Sequence, residues 1–117
     1  MIHIVTDGMS DISQEDAARL GIDVLPQPVR FGDEEFWDGI DLTKAEFFRR
    51  LRACTELPKT SQVPLDSFRK TFEKYLAVPG DDVLCITGSI KLSGCNAAAV
   101  LAQKMCSAPE RVTVVDS

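Results

Sequence analysis

Histidine is nearly absent from this chain, His3 being the only one, and its four cysteines (Cys54, Cys85, Cys95, Cys106) form no C-x-x-C pair. That spacing argues against a structural zinc site and for reduced thiols, buried or partly buried. No run approaches the roughly 18 apolar residues of a membrane span, and MIHIVTD is no charged leader. A cytoplasmic protein is the expectation. No basic stretch offsets the net charge of −5, so the electrostatic footprint of a nucleic-acid partner is missing. The G-x-S-x-G elbow and the phosphate-binding glycine motifs are missing too, and no histidine stands near Ser93 or Cys95 in sequence to act as a base. Catalytic residues, metal ligands and a cofactor therefore have no motif behind them.

What is present is an alternation of strand and helix. Ile2–Thr6 is an apolar, β-branched run ending in a Thr-Asp-Gly turn. Ser13 opens a short helix through Ala17 and Leu20 that stops at Gly21, and Ile22–Leu25 is the next strand. Val29–Trp37 reads as a hairpin turning at Gly32-Asp33. Thr43 with Glu46 forms a capping box for a helix over 44–53, in which Phe47 and Leu51 would face the core. After a loop over 55–62, Pro64 begins a helix carrying Phe68, Phe72 and Tyr75 as core positions. Val83–Ile86, the alanine-rich helix 94–106 and Val112–Val115 complete the pattern.

Strands with no solvated face alternating with helices define an α/β fold, a mostly parallel sheet with covering helices plus a small β-hairpin. Ligands of such sheets bind beyond the carboxyl ends of the strands, and polar residues collect there, in Thr6–Asp11 and in Thr87–Gly94. Ser93-Gly94 sets a hydroxyl and unpaired N–H groups at a helix start with Lys91 close in sequence. That arrangement suits an anionic oxygen, and equally suits a plain N-cap. Lys59-Thr60-Ser61-Gln62 admits the same two readings ahead of its own helix. Asp38-Gly39-Ile40-Asp41-Leu42-Thr43 reads locally as a turn and cap.

Four segments in order sharpen this. Ile4-Val5-Thr6-Asp7-Gly8-Met9-Ser10-Asp11-Ile12 resembles the I-x-T-D-S-x-x-D-L opening of DegV-type fatty-acid-binding proteins, and Asp38–Thr43 is similar to their D-G-V-D-[IL]-[ST] segment. Leu57-Pro58-Lys59-Thr60-Ser61-Gln62 looks like their L-P-x-T-S-Q loop, and Ser89-Ile90-Lys91-Leu92-Ser93-Gly94 like their S-S-x-L-S-G turn. Val114-Val115-Asp116-Ser117 resembles their V-x-D-S strand end.

The resemblance implies a lipid-binding lobe over residues 1–117 in which Thr60, Ser61, Ser93 and Gly94 hold the carboxylate of a long-chain fatty acid. A second lobe, lying beyond this chain, would enclose the tail. It implies further that a partner fatty acid kinase does the chemistry, so that this protein carries substrate and is not an enzyme. Gly8 stands where the family carries serine, and Gly88 and Cys95-Asn96-Ala97-Ala98 also depart from its pattern. Two other readings stand beside the carrier: an α/β enzyme domain acting on a phosphorylated or carbonyl substrate through Asp7 or Cys95, and an interaction module that self-associates through the surface left by a missing lobe.

Overall fold

The computed structural model describes residues 1–117. Strands β1 (Ile2–Asp7), β2 (Ile22–Leu25), β6 (Asp82–Thr87) and β7 (Val112–Asp116) form a parallel sheet in the order β2-β1-β6-β7. Helix α1 (Gln14–Leu20) joins β1 to β2, and α4 (Cys95–Met105) joins β6 to β7. The two crossovers leave the central β1–β6 pair in opposite directions. Right-handed connection then sends their helices to opposite faces and leaves a topological switch point between β1 and β6.

Register decides which face each side chain takes. Val5, Cys85 and Val114 are aligned across the sheet, as are His3, Val83 and Val112, on the face covered by α3 (Leu65–Leu76) and α4. Val5, Val83, Cys85 and Val112 join Phe68, Phe72 and Leu76 of α3 and Ala98, Ala99 and Ala102 of α4 in one buried cluster. The alanines allow the phenylalanines close approach, which is why an alanine-rich helix serves here as well as for its propensity. On the other face Ile4, Ile86 and Val115 are only partly covered, with 37%, 36% and 40% of their surface exposed. Helix α1 packs beside β2, with Ala17 and Val24 buried.

Local signals account for the ends. Ser13 Oγ accepts from Asp16 N at 3.0 Å and Gly21 takes φ +70°, closing α1 at both termini. Leu20 projects outward, more than half exposed. His3 Nε2 donates to Asp81 Oδ2, 2.8 Å away, and the ring stacks on Tyr75 at a centroid distance of 3.8 Å. It lies at the amino end of the sheet, opposite the strand ends where ligands bind.

The hairpin β3 (Pro28–Phe31) and β4 (Glu34–Trp37) turns at Gly32-Asp33 and is widened to three strands by β5 (Lys59–Thr60). The segment expected as a loop over 55–62 thus contains a strand, because β3 offers it an open edge. Helix α2 (Lys44–Ala53) has its capping bond from Glu46 N to Thr43 Oγ1. Its Phe47 and Leu51 do not reach the main core. They are half-buried, Phe47 lying edge-on to Phe31 at 5.7 Å. Strands of four and two residues cannot bury a helix face completely.

Candidate functional site

Asp7 closes β1 and is fully buried. Its Oδ1 accepts from Met9 N at 2.9 Å and its Oδ2 from Gly88 N at 2.8 Å, so one carboxylate ties together the loops after β1 and β6 at the switch point. A buried carboxylate is tolerated when backbone donors satisfy it. Asp116 Oδ1 holds the loop once more, from Ile90 N at 2.8 Å. Thr87, also buried, accepts from Asn96 Nδ2 at 3.1 Å. The asparagine at this departure from the DegV pattern therefore turns inward.

Above this brace lies a cleft of about 310 Å³ lined by Thr60, Ser61, Ser93 and Gly94, together with Met9, Gln27, Gln62 and Leu92. All four residues singled out in the sequence are brought together, though more than thirty positions separate the two pairs. Pairing with β3 puts the first pair in place, through the register Val29–Thr60 and the bond from Ser61 N to Pro28 O at 3.1 Å. The start of α4 supplies the second.

The capping alternatives resolve differently at the two loops. Helix α3 has Pro64 at its N-cap position and no side-chain cap, and the hydroxyls of Thr60 and Ser61 make no hydrogen bond within the protein. Ser93 Oγ accepts from Cys95 N at 3.1 Å, while the N-cap position itself belongs to Gly94. The N–H groups of Gly94, Asn96 and Ala97 have no acceptor in the protein. They remain as the orphan donors of a helix start, carrying its partial positive charge. A Cβ at position 94 would stand 1.8 Å from Gln62 Oε1, so glycine is what lets the Gln62 amide lie over the helix terminus.

No charged side chain lines this cleft; Lys91 is exposed and lies outside it. Ser89 and Lys91 make a tight turn, Lys91 N donating to Ser89 Oγ at 3.2 Å. A neighbouring groove shares Thr60 and holds Asp11, Asp38, Lys44 and Phe47. Burial raises the Asp38 pKa above the usual carboxylate value, partly offset by Lys44. No cluster of three or more histidine, cysteine or acidic side chains is placed to hold a metal.

Neither residue of the enzymatic reading is presented as a reactive group. Asp7 has both oxygens occupied, and Cys95 is fully buried with Val63 N 3.4 Å and Gln27 Nε2 3.6 Å from its sulfur. Sequence reasoning did not single out Met9, Gln27, Gln62 or Leu92 as lining residues. Met9, Gln62 and Leu92 lie inside quoted motifs, but Gln27 sits in a link between two sheets and carries no local signal.

Fold and cleft together define an open α/β domain with a hydroxyl-lined cleft at a helix N-terminus beside a switch point. The chain belongs to the DegV family: the family model described as uncharacterised protein, DegV family, matches residues 1–117. It is 38% identical over 115 residues to a DegV domain-containing protein of Listeria monocytogenes, covering 98% of this chain and 40% of the relative. Among solved structures it is similar to a fatty-acid-binding DegV family protein from Thermus thermophilus, with 36% identity and a TM-score of 0.85 over 98% of this chain and 40% of that one. A Thermotoga maritima protein whose structure reveals fatty acid binding function matches at 34% identity and a TM-score of 0.82, over 98% of this chain and 42% of that one. The chain thus spans about 40% of the length of these relatives.

Proposed function

We propose that this chain binds the carboxylate of a long-chain fatty acid in the cleft between the β5–α3 loop and the start of α4. The observation that supports this most is that two unpartnered hydroxyls, Thr60 and Ser61, line one cleft with Gly94, whose N–H has no acceptor at the start of α4. Each hydrogen bond to a carboxylate contributes about 1.5–3 kcal/mol, against about 0.3–1 kcal/mol for the helix dipole. Two or three such bonds hold the head group without a lysine or arginine.

The tail requires something else. Each buried methylene contributes about 0.8 kcal/mol, but only Met9 and Leu92 are apolar among the lining residues of a cleft of about 310 Å³. On this reading residues 1–117 are the head-group lobe, and the acyl chain is enclosed by the remaining length seen in the relatives. The same proposal makes the protein a carrier, with a partner kinase acting on the bound acid and with no chemistry of its own. It also puts the protein in the cytoplasm, where its four free cysteines stay reduced; no helix is long and apolar enough to cross a membrane.

The test is native mass spectrometry of the native-length protein, followed by organic extraction. The expected result is a stoichiometric long-chain acid, displaced by added palmitate. A protein that carries no acid and takes up neither palmitate nor oleate would overturn the proposal. Self-association through the partly covered face around Ile4, Ile86 and Val115 is checked by sizing across a concentration series, a monomer throughout counting against it.

A further inference from the structure

Met9 and Gly88 occupy each other's space. A Cβ built on Gly88 would lie 2.4 Å from Met9 Sδ, 3.0 Å from Met9 Cε and 3.3 Å from Met9 Cβ. The thioether is therefore laid flat over the backbone at position 88, and both main chains are fixed beneath it by the Asp7 carboxylate. Met9 is half-buried and lines the cleft, whereas Leu92, the other apolar residue of the lining, is 76% exposed. The cleft accordingly has polar sides, made by Thr60, Ser61, the Gln27 and Gln62 amides and the α4 terminus, and one half-buried apolar wall at Met9.

We propose that Met9 is a specificity-determining residue, held in place by the absence of a side chain at position 88, that selects acids unsubstituted at the carbon next to the carboxylate. This rests on the carboxylate reading above. With the carboxylate on Thr60, Ser61 and Gly94, Met9 is the half-buried apolar surface the cleft offers to the adjoining methylene. A hydroxyl directed from that carbon at Met9 meets a thioether, a weak acceptor that donates nothing, and exchanges its water for a poorer partner. Methionine suits the role because its unbranched thioether conforms to an irregular surface.

The experiment is a double-mutant cycle in the native-length protein with Met9→Ala, Gly88→Ser and the pair, read by urea midpoint and by competition between palmitate and 2-hydroxypalmitate. The wild type should prefer palmitate by about tenfold or more. Met9→Ala should erode that preference, Gly88→Ser alone should lower the urea midpoint, and the pair should recover the midpoint while the preference stays lost. A Gly88→Ser protein as stable as the wild type would overturn the steric lock. Equal binding of the two acids by the wild type, or an unchanged preference in Met9→Ala, would overturn the specificity role and leave the carboxylate reading standing. No uptake of either acid by the wild type would sink that reading and the specificity role with it, and the urea arm would still decide the lock.

Discussion

Asp7 Oδ2 and the backbone N–H of Gly88 meet at 2.8 Å across 81 positions of sequence, and the other oxygen of the same carboxylate holds Met9 N. This contact joins the two loops that flank the switch point. The cleft is built on it, because Met9 lines the cleft and Gly88 leads into the turn that ends at Ser93-Gly94.

Asp7→Asn should therefore cost about 1–3 kcal/mol, since the new amide keeps one acceptor and turns its N–H groups toward a donor it formerly satisfied. Urea unfolding gives the value directly. A midpoint equal to that of the wild type would show that the brace contributes nothing.

The hydroxyls of the cleft should separate into two kinds. Thr60→Val and Ser61→Ala remove groups with no partner in the protein, so each should leave the urea midpoint within about 0.5 kcal/mol of the wild type while weakening palmitate uptake. Ser93→Ala removes the acceptor for Cys95 N and should cost about 1 kcal/mol of stability besides. Calorimetry with palmitate alongside urea melts distinguishes the two patterns.

Gly94→Ala should impair binding more than folding. Its Cβ would displace the end of the Gln62 side chain, a flexible group that can swing aside, and would then occupy the approach to the α4 N–H groups. The expected outcome is a small change in Tm with palmitate affinity reduced about tenfold or more, equivalent to about 1.4 kcal/mol.

Alkaline pH should destabilise the protein through its buried thiols. Burial pushes Cys85 up from an ordinary 9.0 to about 12 and Cys106 to about 11. Both are then neutral in the folded chain at a pH where the unfolded chain has lost the proton. Stability is thus full below the ordinary thiol value and is lost as pH rises from there toward the folded values. Thermal melts stepped upward from about pH 8 should show the decline, and Cys85→Ala should flatten it. A melt independent of pH over that range would contradict the burial of these thiols.

Local chemistry made most elements legible. Ser13 and Thr43 cap the helices they announce, Gly21 ends α1, and Gly32-Asp33 turns the hairpin. Those signals act over four or five residues and need no partner. The α/β class followed in the same way, from apolar strands alternating with helices.

Contacts distant in sequence decided the rest. Strand β5 exists because β3 offers an edge, and with that pairing Thr60 and Ser61 move from a capping loop to one wall of a cleft. Lys91, close in sequence to the Ser93-Gly94 turn, is exposed and lies outside the cleft. Phe47 and Leu51 have the spacing of core residues but meet a sheet too small to bury them. By itself the sequence determined most of the segments that coil or extend, β5 excepted, and which of its loops bear hydroxyls and glycines. Only the tertiary structure decided which loops face one another, because strand pairing and the Asp7 brace depend on the ends of contacts that local sequence cannot see.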